Sequence, residues 1–160
     1  MSEKIDMESG EVVAVGCDHA GLALKRAIVA HLSSKGVQVS DFGTDTDTCC
    51  DYPLYAQQVA AALVSGQAHK GIVICVSGVG ASIAANKVPG IRCALCHNRY
   101  TVLMSRSKDN ANVLALGGGS TGVEVAKELV DTFLGTAFES GQVNYDRRIA
   151  AIAAIEAKYS

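Results

Sequence analysis

The 160-residue sequence has no apolar run near the roughly 18 residues that a membrane span needs. Its opening, MSEKIDMESG, is polar and lacks the apolar stretch of a secretory signal. It has no basic stripe either, and the formal net charge is -2, so nucleic acid and anionic membranes are not expected partners. No internal repeat or low-complexity segment is found. Six cysteines without a signal sequence predict free thiols in a reducing compartment, with the cytoplasm as the default.

What is there reads as one domain over 11–160 behind a loose tail over 1–10. Short β-branched runs alternate with longer amphipathic ones. VVAVG, VQVSDFG, GIVIC, IRCALC and NVLALG are predicted strands. Predicted helices lie between and after them, at 22–35, 54–65, after the 75–80 loop, at 99–107, from Thr121 as cap, and at 145–159. The first places Leu22, Ala23, Ala27, Ala30 and Leu32 toward one face, with Gly36 closing it. This alternation predicts an α/β, three-layer Rossmann-like fold: a five-stranded parallel sheet with helices on both faces. Ligands bind such sheets at the carboxyl ends of the strands. Cys17-Asp18-His19, Cys75 with its glycine loop, and His97-Asn98 fall at such ends.

The stretch ICVSGVGASIAANK carries the chemistry. It is not a G-x-x-x-x-G-K-[ST] loop, since no Lys-Ser/Thr pair follows Gly80. It is not G-x-G-x-x-G, since Ile83 stands where the third glycine belongs. A cysteine phosphatase needs an arginine where Ala81 stands. A phosphocysteine loop of a sugar-transport phosphocarrier is a closer match, but such loops normally follow the first strand. The remaining reading is a site for an oxyanion that develops during reaction. Successive amides from Val76 to Ala81 would stabilise an enediolate, with Cys75 as the base that removes a proton beside a carbonyl. A free thiol has a pKa of about 8.5, which a helix N-terminus lowers. From spacing alone, Cys75 is equally well a small buried apolar residue above a tight turn.

Other candidates read more plainly. Cys49-Cys50 is an ordinary exposed pair. Cys93 and Cys96 point to opposite sheet faces, and no second pair completes a zinc site. His31 and His69 read as solvated residues, and the DTDT carboxylates as a solvated loop.

GCDHAG, DYP, the glycine loop after Ile74-Cys75, SIAANKVPGIR, and SR with NANVLALG stand here in an order that resembles the ribose-5-phosphate isomerase B and galactose-6-phosphate isomerase family. The likeness covers nearly the whole chain after the tail. It implies reversible aldose–ketose isomerisation of a phosphorylated sugar through a cis-enediolate, without metal or cofactor. On that likeness Cys75 is the base. Asp18 and His19 hold the sugar or its phosphate, and Tyr52 lines the substrate pocket. Val76, Ser77, Gly78, Val79, Gly80 and Ala81 form the anion hole, with Ser82 beyond. It also implies a homodimer, or a tetramer, whose sites are shared between subunits, with phosphate-binding arginines on the terminal helix.

The sequence departs from the family pattern at five positions. Val76 replaces a glycine. Lys108 stands for the histidine that opens the sugar ring, and Asp109 for a sugar-binding asparagine. Gly119 and Asn144 stand where phosphate-site arginines belong, while Arg148 is retained and Arg147 adjoins it. These changes bear on ring opening, by Lys108, His97 or water, and on phosphate binding. The expected activity is interconversion of ribose 5-phosphate and ribulose 5-phosphate. A six-carbon sugar phosphate, or a catalytically weak sugar-phosphate-binding relative, are the alternatives.

Overall fold

The structure is a computed structural model that describes residue 5 and residues 10–159. Five strands, β1 (Val12–Cys17), β2 (Gln38–Asp41), β3 (Lys70–Cys75), β4 (Cys93–Leu95) and β5 (Val113–Gly117), pair in the order β2-β1-β3-β5-β4. Every pairing is parallel. The three central strands are buried almost throughout, which is why they read as continuous apolar runs.

Alternation along these strands feeds two cores. Ile72, Ile74, Leu114 and Leu116 pack with helices α1 (Leu22–Ser34), α4 (Arg99–Ser107) and α5 (Val123–Gly135). Val73, Cys75, Val113 and Ala115 pack on the other face with α2 (Tyr52–Val64) and α3 (Val79–Ala85). Cys93 and Cys96 join opposite cores, as their spacing predicts. The helices after β1 and before β3 lie on opposite faces, so the chain switches direction between β1 and β3. That is where a parallel sheet opens a crevice.

The structure corrects several details. In α1 the buried residues are Leu22, Leu24, Lys25, Ile28 and Leu32, whereas Ala23 and Ala30 are exposed. Lys25 turns inward because its ammonium meets Asp41 at 2.9 Å, Asp45 at 3.1 Å and the Thr44 carbonyl at 2.9 Å. His31 is not solvated: it bonds Asp131 at 2.8 Å, and Lys35 shares that carboxylate at 2.6 Å. His69, by contrast, is exposed as expected, and it accepts the Val12 amide at 3.1 Å through Nδ1. Gly122, not Thr121, occupies the cap position of α5. The tail over 1–10 lies outside the described residues except for Ile5, which packs against the first core, and Gly10. Helix α6 (Val143–Tyr159) buries none of its residues and exposes Ile152 and Ile155. Among the described residues no helix is long and apolar enough to cross a membrane.

Candidate active site

Three loops meet at the carboxyl edge of the sheet. The Asp18 amide donates to the Ile74 carbonyl at 3.4 Å, tying the loop after β1 to β3. The Gly118 and Gly119 amides donate to the Cys75 and Val76 carbonyls at 2.8 and 2.9 Å, tying the loop after β5 to the same strand. Cys75, the last residue of β3, is 2 % exposed at the centre of this junction.

The loop geometry follows from its glycines. Gly78 has φ +77°, a left-handed conformation that lets the chain turn from strand to helix within three residues. The turn aims its amide back at Cys75 Sγ, 3.2 Å away. Ser77 Oγ accepts the Val79 amide at 3.3 Å, and the Gly78 carbonyl accepts that of Ser82 at 3.0 Å. The Gly80 and Ala81 amides, in the first turn of α3, have no acceptor within the helix. Helix α3 has only seven residues, so local amides, more than a summed dipole, supply the positive end. Gly80 is required for another reason: a Cβ there would lie 2.5 Å from the Tyr52 ring, which leans across α3 from the start of α2.

Asp18 is buried and accepts the Gly21 amide at 3.1 Å, capping a short 3-10 turn over His19–Gly21. His19 is held from the next loop, because the Cys50 amide donates to its Nδ1 at 3.2 Å. An amide is always a donor, so Nδ1 is the acceptor and the neutral ring carries its proton on Nε2. Asp18, His19, Tyr52, Cys75 and the 76–81 amides therefore form one group. Among the described residues no set of three His, Cys, Asp or Glu side chains is arranged to hold a metal ion.

Lys108, Asp109 and Arg148 are elsewhere in the chain. Residue Val113 pairs with Gly71 at the start of β3, while Gly117 pairs with Cys75 at its end. Lys108 caps α4 and Asp109 follows it, ahead of β5, so both lie at the amino edge. Four residues of strand, about 13 Å, separate that edge from Cys75. Lys108 bonds Glu139 at 2.5 Å and lies 4.3 Å from the centre of the Tyr145 ring on α6. Asp109 shares a cavity of about 430 Å³ with Arg92 and with Ile152, Ile155 and Glu156 of α6. Arg148 is exposed on the same helix. One chain thus carries two groups of candidate residues on opposite sheet edges. The partners Cys50, Glu139 and Tyr145 have no signal in the sequence beyond their nearness to candidate residues. His97 is exposed after β4, and Asn98 caps α4 by accepting the Thr101 amide at 2.9 Å.

Comparison with known proteins places this geometry. The sequence profile described as Ribose/Galactose Isomerase matches residues 13–152. The chain is 49% identical over 144 residues to ribose-5-phosphate isomerase B of Escherichia coli K12, covering 90% of this chain and 95% of that protein. It is 41% identical to D-erythrulose-4-phosphate isomerase of Pectobacterium atrosepticum, covering 81% and 86%. Among solved structures, ribose-5-phosphate isomerase B of Clostridium thermocellum superposes with a TM-score of 0.90 at 46% identity, covering 93% of this chain and 99% of that one.

Proposed function

Because the chain belongs to the ribose/galactose isomerase family, we propose that it is an aldose–ketose isomerase that interconverts ribose 5-phosphate and ribulose 5-phosphate. The observation that carries this reading is the 49% identity with the Escherichia coli enzyme over 90% of the chain. In the proposed mechanism Cys75 takes the proton from the carbon beside the carbonyl. The 76–81 amides hold the enediolate oxygen, and Cys75 returns the proton to the neighbouring carbon. The Gly78 amide at the sulfur supports this role, since a thiolate accepts a hydrogen bond that an apolar spacer would not need. Asp18, His19 and Tyr52 hold the sugar. No metal or cofactor enters the scheme, and the cytoplasm is the proposed location.

The separation of Cys75 from Lys108, Asp109 and Arg148 supports a homodimer in which each site takes one group from each chain. Mixing Cys75→Ala chains with Lys108→Ala/Arg148→Ala chains tests this. In assays well below the raised Michaelis constant of the double variant, where neither parent turns over appreciably, random reassortment restores about a quarter of the wild-type sites. The substrate assignment is tested by isomerisation assays on four-, five- and six-carbon aldose phosphates with a chelator present. A clear preference for ribose 5-phosphate is the expected result. A preference for the four-carbon sugar is the second reading, favoured by the 41% identity to D-erythrulose-4-phosphate isomerase.

A further inference from the structure

A polar cavity opens at the amino edge of the sheet, away from the residues assigned to the substrate. Lys70 begins β3, Glu11 precedes β1, and Arg106 lies near the end of α4. With Thr136 and Phe138, from the segment that follows α5, they line a space of about 290 Å³. Cys75 stands five residues along β3 from Lys70, about 16 Å away. Lys108, Asp109 and Arg148 do not line this cavity.

Its two cations have binding capacity that the protein leaves unused. Arg106 is 5 % exposed, so its guanidinium depends on partners. Nε donates to the Thr136 carbonyl at 3.1 Å. Nη1 donates to Asn110 Oδ1 at 3.1 Å and to the Ala111 carbonyl at 2.5 Å. Nη2 carries two more N–H donors and has no acceptor among the described residues. Among those residues Ser107 Oγ is the only sealed side-chain N or O atom without a partner, so Nη2 is not sealed. The space it meets is the cavity that Arg106 lines. Lys70 is half-buried, and its ammonium has no hydrogen bond or ion pair among the described residues.

Burial lowers the pKa of both groups, and a neighbouring cation lowers each further, Arg106 for Lys70 and Arg92 for Arg106. Glu11 works the other way on both and does not prevail. Two cations against one carboxylate leave the lining net positive. A guanidinium edge with unused donors beside an ammonium suits an oxyanion, whereas a metal cation would meet the wrong charge. The volume is at the lower limit of small-molecule sites, which favours a compact anion.

We propose that this cavity binds a phosphate group, held by Lys70 Nζ and Arg106 Nη2, at a site separate from the one at Cys75. The phosphate is the free ion or that of a small monoester. Bound there, it joins the start of β3 to α4 and to the segment after α5.

The test uses the full chain carrying Lys108→Ala/Arg148→Ala, which removes the cations of the proposed substrate site. Calorimetric titrations with inorganic phosphate and with methyl phosphate are run near neutral pH at constant ionic strength. Saturable binding of at least one anion is expected. Adding Lys70→Met should weaken it by about tenfold, the loss of one charge-assisted bond, while Lys70→Arg should retain it. Glu11→Gln should tighten it, because a negative charge leaves the lining. Thermal melts without anion check that each variant folds; if Lys70→Met does not, Lys70→Arg and Glu11→Gln decide. Tighter binding of inorganic phosphate supports the free ion, and tighter binding of methyl phosphate supports an ester. No saturable binding of either, or binding indifferent to both Lys70→Met and Glu11→Gln, would overturn the proposal. It does not rest on the isomerase reading: a chain without isomerase activity would sink that reading, and the titrations would still decide this one.

Discussion

The Gly78 amide donates to the Cys75 sulfur at 3.2 Å, and it can do so because Gly78 sits at φ +77°. The two residues form one device: the turn that ends β3 also solvates the proposed base. Cys75→Ala should keep the fold, since it removes one small atom from the core. Its turnover should fall by about 10²–10⁴-fold, the contribution of a positioned base. Gly78→Ala should lower both turnover and stability, because a Cβ there falls 2.6 Å from Leu95 Cδ1 and 2.8 Å from the Leu116 carbonyl carbon. Steady-state kinetics with thermal melts separate the two effects. Near-normal turnover in Cys75→Ala would remove it as the base.

Val76 and Gly119 form a second coupled pair. A Cβ at 119 would lie 3.1 Å from the Val76 carbonyl oxygen and 3.3 Å from Val76 Cγ2. An arginine at 119, where the resemblance expects one, therefore has to displace the valine that replaces the family glycine. Gly119→Arg alone should destabilise the chain by about 1–2 kcal/mol without lowering the Michaelis constant. Combined with Val76→Gly, it should lower that constant by about tenfold, the worth of a charge-assisted bond to phosphate. Equal effects of Gly119→Arg in both backgrounds would show that the two positions are independent.

Lys25 lies under the loop that leads to Cys50 and Tyr52. Burial would lower its pKa, but the Asp41 and Asp45 carboxylates prevail and raise it. The folded chain thus holds this proton more tightly than the unfolded chain. The contribution is full below the ordinary lysine value of about 10.4 and is lost as pH rises through the raised folded value. Lys25→Met should cost about 2–3 kcal/mol at pH 8, less than for a fully buried pair because Asp45 is 87% exposed. In urea unfolding, the gap between wild type and variant should narrow by pH 11. A gap that widens would reverse the assigned sign.

These cases mark where the sequence is legible. Strand positions in β3 and β5 follow from runs that are apolar on both faces, and α4 over 99–107 matches its amphipathic pattern. The buried face of α1 does not follow, because a period count treats Lys25 as polar. Its neutralising carboxylates come from residues 41 and 45, which no helical pattern contains. His31 reads as solvated for the same reason, its partner Asp131 being 100 positions away. At the site, glycine spacing identifies the loop. The contact between His19 and Cys50 joins loops 31 residues apart and leaves no local trace.

Lys108 decides between two chemistries on the substituted side of the site. Its ammonium bonds Glu139 at 2.5 Å and faces the Tyr145 ring. These partners, Glu139 first, raise its pKa above the ordinary lysine value. Near neutral pH such a group stays protonated and is a poor donor to a ring oxygen, but it remains a cation suited to phosphate. Lys108→Ala should therefore raise the Michaelis constant for ribose 5-phosphate by about tenfold with turnover nearly unchanged. Glu139→Gln, which releases the cation from its carboxylate, should lower that constant. Comparing a cyclic with an open-chain aldose phosphate checks the assignment. If Lys108→Ala slows turnover of the cyclic sugar and spares the open-chain one, Lys108 opens the ring. In that case phosphate depends on Arg148 and its neighbours instead.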